Sequence, residues 1–127
     1  MKEEKERIEQ KGKNRILGSL GEEMAAGYLE SEGYEILERN YRCPYGEIDI
    51  VARKEGRLIF AEVKTRRSRS CGAPAEVVNR SKQKKIRLTA SSYMAGYTEK
   101  VRGIEFQVIE IQLNHLQGLS FREVSGC

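Results

Sequence analysis

Two short stretches of the chain carry the residue types that a hydrolytic metal site uses. One contains Asp49, the single aspartate among 19 acidic residues, and the other reads Glu62-Val63-Lys64. Carboxylate oxygens are the hard ligands that Mg²⁺ prefers. A lysine beside them can orient a water molecule or offset negative charge on a phosphate. These residue types indicate metal-assisted chemistry on a phosphate group, provided that the fold brings them together.

The sequence predicts that these two stretches pair in one hairpin. Glu55-Gly56 lies between them and is typical of a tight turn. With that turn, Asp49 lies directly opposite Glu62. Glu47 lies opposite Lys64, one step further along the same face. Opposed Cβ atoms in a hairpin are about 5 Å apart, so all four side chains are expected to form one polar cluster.

The opposed carboxylates of Asp49 and Glu62 repel each other and destabilise a sheet unless something compensates them. A divalent cation with one or two carboxylate ligands and several waters would do so. The alternative is that Asp49 ends its strand and faces water, because aspartate is depleted from strands. Glu-x-Lys alone discriminates little, since Glu3–Lys5 and Glu9–Lys11 repeat it in the charged N-terminal segment.

The hydrophobic periodicity predicts two helices and four to five strands around these residues. Apolar residues recur at helical spacing over 17–32, and Gly33 is typical of a helix C-terminus. The order is α-β-β-β-α-β, with a short fifth strand after it. This order indicates an α/β sandwich with a mixed sheet, because a helical crossover precedes the fourth strand. The predicted strands span 34–42, 47–54, 57–65, 104–113 and 119–124, and the second helix spans 81–96.

The same periodicity predicts which side chains face the core. Gly18 and Gly21 are costly inside a helix and indicate a close backbone approach or a bend. On the second strand, Ile48, Ile50 and Ala52 are expected to share one face. The apolar stripes comprise Leu17, Leu20, Met24 and Tyr28 on the first helix, and Ile86, Ala90, Tyr93, Met94 and Tyr97 on the second.

Length and composition indicate one polar globular domain. The chain has 127 residues, a net charge of +4 and a pI near 9.0, which permits a nucleic-acid partner without requiring one. We expect a charged extension over 1–15 and a single domain over 16–127. Cys43, Cys71 and Cys127 show no C-x-x-C spacing, which favours a reducing cytoplasm over a disulfide framework or a zinc site. No apolar run approaches the length of a membrane span.

Taken together, the motifs resemble the YraN-like family of small bacterial proteins, within the PD-(D/E)xK nuclease superfamily. The resemblance covers about residues 15–113. It implies a restriction-endonuclease-like fold, close to archaeal-type Holliday junction resolvases, with a Mg²⁺ or Mn²⁺ site. The stretches that carry it are Gly18–Glu22, Gly33-Tyr34, Arg39–Arg42, Gly46–Ile50, Phe60–Arg66 and the helix from Lys82 to Tyr93.

The resemblance also implies roles for individual residues. Asp49 and Glu62 would be metal ligands, Lys64 the catalytic lysine, and Glu22 a helix-borne acid beside the metal. Without the resemblance, Glu22 reads as an exposed helix acid. The chain departs from the family pattern at Gln107, where members commonly carry aspartate. We expect Gln107 to lie outside the metal site and to affect packing or a secondary contact.

Basic residues flank the proposed site and are candidate phosphate contacts. The alternative is a solvated basic face.

His115 is expected to have a structural or surface role. The predicted function is a metal-dependent endonuclease acting on DNA, with branched or structured DNA as a candidate substrate and a second copy of the chain or DNA-processing proteins as candidate partners. The alternative is a nucleic-acid-binding module or adaptor that does not cleave. The basic residues are Arg66, Arg67, Arg69, Lys82 and Lys85, with Lys84 and Arg87 nearby.

Overall fold

The computed structural model describes residues 18–66, 80–114 and 118–125. Three predictions concern residues outside this set: the extension over 1–15, the loop that carries Arg67 and Arg69, and the turn at His115. Arg66 lies in a described strand, but its side chain is outside the described set. The fold and the candidate site are therefore built from the remaining residues.

In the described part of the chain, five strands form one mixed sheet with helices against both faces. The strand order is β1-β2-β3-β4-β5, and every neighbouring pair is antiparallel except β3 and β4. Helix α2 makes the crossover that joins these parallel strands, so the predicted α/β architecture and element order are confirmed. The elements are α1 (18–31), β1 (Glu35–Cys43), β2 (Gly46–Lys54), β3 (Arg57–Arg66), α2 (Arg80–Ala95), β4 (Gly103–Asn114) and β5 (Gly118–Ser125).

Local backbone chemistry explains two of the boundaries. Helix α1 ends in a Schellman motif, in which the Tyr34 amide bonds to the Leu29 carbonyl and Gly33 adopts φ 93°. The β2–β3 turn has positive φ at both central residues, 51° at Glu55 and 79° at Gly56. This is the backbone of a two-residue hairpin turn whose twist matches the flanking strands.

The hairpin register agrees with the prediction along most of its length. Lys54 pairs with Arg57 beside the turn, and the pairing continues to Ile50 with Ala61. The regular ladder ends there, one step before the predicted Asp49–Glu62 pair. Asp49 and Glu62 are therefore neighbours at the open end of the hairpin rather than a regular cross-strand pair.

Two apolar clusters hold the layers together. The α1 cluster lies between α1 and the sheet, and the α2 cluster lies between α2 and the opposite face. Burial of this apolar surface is the main stabilising contribution to the fold. The α1 cluster contains Ala25, Ala26, Leu29, Ile50, Ala52, Ile59, Ala61, Ile109 and Ile111, and the α2 cluster contains Ile48, Val51, Leu58, Phe60 and Ala90.

Helix α1 packs through small residues and Leu29, while Met24 and Tyr28 of the predicted stripe pack against the same cluster and are partly buried. Leu20 is 53% exposed, so its assignment to the core was wrong. Gly21 is buried, and a Cβ added there would overlap the side chain of Thr65 on β3. Gly18 faces open space, with nothing within 4 Å of an added Cβ. The close approach predicted from the two glycines is thus made by Gly21 alone.

Strand β2 changes face at Asp49. Ile48 belongs to the α2 cluster, whereas Ile50 belongs to the α1 cluster, although residues two apart on a regular strand share a face. The neighbouring strand β1 is irregular at the same level, where Asn40 adopts φ 55°. The prediction that Ile48 shares a face with Ile50 and Ala52 was therefore wrong, and the reason is this local break in the pleat.

Candidate active site

The break in β2 directs the Asp49 carboxylate towards β3. The backbone amide of Val63 donates to Asp49 Oδ2 at 2.7 Å, so this side chain takes a partner that lies beyond the last backbone pair of the hairpin. Because Ile48 and Ile50 lie on opposite faces, Asp49 sits at the sheet end between the two helix layers. The sequence predicted that Asp49 is close to Glu62, but not that it bonds to the backbone between Glu62 and Lys64.

The environment of Asp49 disfavours its ionised form. Burial raises the pKa of Asp49 from an ordinary value of 3.8 to about 6, although the hydrogen bond from Val63 acts in the opposite direction. Repulsion from Glu22, Glu62 and Glu47 raises it further. Three acidic side chains, from α1, β2 and β3, therefore act on Asp49 at this point, and a bound cation would relieve the repulsion.

Asp49 should make the stability of the cation-free protein depend on pH. A carboxyl group whose pKa is raised by folding binds its proton more tightly in the folded state, so its contribution to stability is lost as the pH rises from about 3.8 to about 6. Asp49→Asn lacks this contribution. We expect the free energy of unfolding of the variant, relative to wild type, to increase over that interval and then to level off. Urea denaturation in EDTA at a series of pH values measures it, and a constant difference would contradict the assignment.

Glu62 has one satisfied oxygen and one orphaned oxygen. Lys82 Nζ, from the first turn of α2, donates to Glu62 Oε1 at 2.7 Å. Oε2 is buried and accepts no hydrogen bond from any residue in the described ranges. A buried acceptor without a donor is costly. This oxygen is therefore available to a cation or a water molecule.

Glu22 joins the cluster from α1. Its side chain is 23% exposed, and Arg39 Nη2 lies 3.9 Å from its Oε2. The adjacent Glu23 is 68% exposed and takes the closer contact with Arg39, at 2.6 Å. The contact of Gly21 with Thr65 seats this turn of the helix on β3, which brings Glu22 towards Asp49.

Lys64 lies beside an acid that the sequence analysis missed. Strands β3 and β4 pair in register, so Lys64 is level with Glu110, which is only 1% exposed. Gln112 Nε2 donates to Glu110 Oε1 at 3.0 Å. The available signal was an acidic residue inside the apolar run from Val108 to Ile111. Because a buried carboxylate requires partners, Glu110 is a candidate for orienting the lysine.

A pocket of about 110 Å³ opens between the sheet and α2 beside the acidic residues. Gln107 also borders it from β4, is in register with Ala61, and donates weakly to Glu105 at 3.4 Å. Gln107, which was expected outside the metal site, thus borders the same pocket as Asp49 and Glu62. Its secondary contact is with Glu105, and its buried Oε1 has no hydrogen-bond partner among the described residues. The polar lining comprises Glu47, Asp49, Glu62 and Lys82, and the apolar lining includes Ile48, Phe60, Ile86, Phe106 and Val108.

The available carboxylate ligands fit a cation site completed by water molecules better than a site closed by protein ligands alone. Within the described ranges, no group of three or more His, Cys, Asp or Glu side chains is placed so that it could hold a metal ion. Mg²⁺ commonly binds through one or two carboxylates and keeps several waters. Asp49 and the orphaned oxygen of Glu62 match that requirement.

The candidate phosphate contacts differ in their placement. Lys82 turns inward to Glu62, whereas Lys84, Lys85 and Arg87 are exposed on α2. The contacts predicted for Arg66, Arg67 and Arg69 concern side chains outside the described set. The site thus has one inward lysine on α2 and an exposed basic surface beyond it.

The chain belongs to a bacterial protein family. Residues 21–111 match the model of the uncharacterised protein family UPF0102, which confirms the YraN-like resemblance. Relatives from the same family include the UPF0102 proteins of Dictyoglomus thermophilum, 45% identical over 101 residues, and of Clostridium botulinum, 45% identical over 104 residues. These alignments cover 80% and 81% of this chain, and 86% and 85% of the relatives.

Among solved structures, the chain is similar to Pyrococcus furiosus SfsA in complex with Ca²⁺. The TM-score is 0.39 with 16% sequence identity, over 89% of this chain and 64% of that one. This similarity is too low to bear on function. In the described part of the chain, neither helix has the length and apolar character needed to cross a bilayer.

Proposed function

We propose that the protein is a Mg²⁺- or Mn²⁺-dependent endonuclease that hydrolyses phosphodiester bonds in DNA. The observation that carries the proposal is that two carboxylates meet where the β2–β3 ladder ends: Asp49, which accepts from the Val63 amide, and Glu62, whose buried Oε2 has no hydrogen-bond partner among the described residues. The arrangement is also the one that the PD-(D/E)xK resemblance implies, with an acid on one strand and Glu-x-Lys on the next.

Each polar side chain has a role in this proposal. Asp49 and Glu62 hold the cation, and Glu22 assists directly or through a water molecule. A cation held by these carboxylates would supply Lewis-acid chemistry, polarising a phosphate and lowering the pKa of a coordinated water. Val63 fixes the orientation of Asp49 by hydrogen bonding to one carboxylate oxygen. Lys64 positions the water and offsets the negative charge that develops on the phosphate.

The charge distribution supports a polyanionic substrate. The net charge is +4, and the exposed lysines and arginine of α2 lie beyond the acidic cluster. Such residues hold a phosphate backbone and make binding weaken with salt. Arg66, Arg67, Arg69 and Lys85 would supply these contacts, and Lys82 would lie where that surface meets the cluster.

A substrate panel tests this function. Purified protein is offered duplex, single-stranded, flap and four-way-junction DNA, each with Mg²⁺, Mn²⁺ or EDTA. We expect metal-dependent cleavage of at least one DNA, with branched DNA preferred, and none in EDTA. Cleavage that persists in EDTA, or the absence of cleavage on every substrate, would contradict the proposal.

One observation favours a second candidate, a nucleic-acid-binding module that does not cleave. Lys82 already neutralises Glu62 in this structure, so the fold does not require a cation at that carboxylate. On this alternative, DNA binds equally well in Mg²⁺ and EDTA, and Asp49→Asn leaves the affinity unchanged.

A further inference from the structure

Lys82 is placed differently from the other basic residues at the start of α2. Its side chain is 42% exposed and contacts Glu62 across the pocket, while Lys84 and Lys85 face solvent. The first turn of α2 contains no acidic residue that could pair with it along the helix. The inward position of Lys82 places its ammonium group 2.7 Å from the Glu62 carboxylate on β3.

The pair forms in a strongly acidic environment. Glu47, Asp49 and Glu62 line the pocket with Lys82, and Glu22 acts on Asp49 from α1. The negative charges of these carboxylates repel one another, and the ammonium group of Lys82 offsets part of that repulsion. Lys82 thus stabilises the cluster by supplying the positive charge that a bound cation would otherwise provide.

The pair also orients Glu62. Lys82 bonds to Oε1, whereas the buried Oε2 accepts no hydrogen bond from any residue in the described ranges and is the oxygen left for a cation. The ammonium group of Lys82 and a divalent cation are both attracted to the Glu62 carboxylate, and both carry positive charge. They must therefore compete electrostatically when both are close to Glu62.

We propose that Lys82 is the intrinsic counter-cation of this site. It neutralises and orients Glu62 in the cation-free protein, and it weakens the binding of a divalent cation there. This inference rests on the proposed function only in taking the acidic cluster as the cation site.

Mn²⁺ binding measured by titration calorimetry at low ionic strength tests the inference without an activity assay. Lys82→Met keeps the length of the side chain and removes its charge. We expect Lys82→Met to bind Mn²⁺ about three- to tenfold more tightly than wild type. Lys82→Arg should resemble wild type. Lys85→Met, an exposed position on the same helix, is the matched control and should change the affinity by less than about twofold.

Melting temperatures in EDTA and in Mn²⁺ provide a second readout. Lys82→Met should melt below wild type in EDTA, because Glu62 loses its partner, and Mn²⁺ should raise its melting temperature more than that of wild type. Lys82→Gln repeats both measurements if the methionine variant folds poorly. Equal or weaker Mn²⁺ binding by the folded variants would overturn this inference alone. If wild type binds no Mn²⁺, both this inference and the proposed function fail.

Discussion

Asp49→Asn is expected to reduce metal-dependent DNA cleavage by roughly two to three orders of magnitude. The variant loses the charge of one of the two proposed cation ligands, and such a ligand is worth several kcal/mol of transition-state stabilisation. Asparagine can still accept the Val63 hydrogen bond through its amide oxygen, so the end of the hairpin should keep its structure. Single-turnover cleavage of the preferred substrate at saturating Mn²⁺ measures the effect.

Glu47→Gln is the matched control for this prediction. Glu47 lies on the same strand and lines the same pocket, but its side chain is 55% exposed and pairs with Arg42. It should retain cleavage within about threefold, because exposed charge pairs contribute little. Comparable losses in both variants, or full activity in Asp49→Asn, would remove Asp49 from the site.

Gly21→Ala is expected to destabilise the protein by about 1–3 kcal/mol, the usual cost of overpacking. The added Cβ would overlap the Thr65 side chain on β3, at a buried position where α1 meets the sheet. The helix would have to move away from β3, which would also displace the neighbouring Glu22. Urea denaturation of the variant and wild type measures the change.

Gly27→Ala on the same helix should change the free energy of unfolding in the opposite direction. Nothing lies within 4 Å of a Cβ added at this exposed position, so alanine should stabilise the helix by about 0.5–1 kcal/mol. Thr65→Ala should recover much of the loss in Gly21→Ala by removing the overlapping hydroxyl group. If both glycine variants change stability in the same direction, the close approach of α1 to β3 at Gly21 is contradicted.

The elements and the hairpin register could be predicted because local signals agree with the global fold. Alternation located β2 and β3, and Glu55-Gly56 fixed their pairing as far as Ile50 and Ala61. The helical crossover made β3 and β4 parallel neighbours. The same signals placed Asp49 and Glu62 at the same end of the hairpin.

The remaining features depend on tertiary contacts that periodicity does not encode. A small-residue surface around Gly21 seats α1, and the predicted stripe residue Leu20 remains exposed. The face change at Asp49 accompanies an irregularity in β1 at Asn40, so β2 alone gives no sign of it. Glu110 resembles a surface acid until the β3–β4 register places it beside Lys64.

Paramagnetic NMR tests the cation site most directly. For a 14.5 kDa chain, amide spectra can be recorded while Mn²⁺ is added below equimolar amounts. We expect the amide signals of Ile50, Ala61 and Val63 to lose intensity first, Gly103 at the far end of the sheet to be unaffected, and Asp49→Asn to abolish the effect. Broadening centred elsewhere, or a pattern unchanged in Asp49→Asn, would show that the acidic cluster is not where the cation binds.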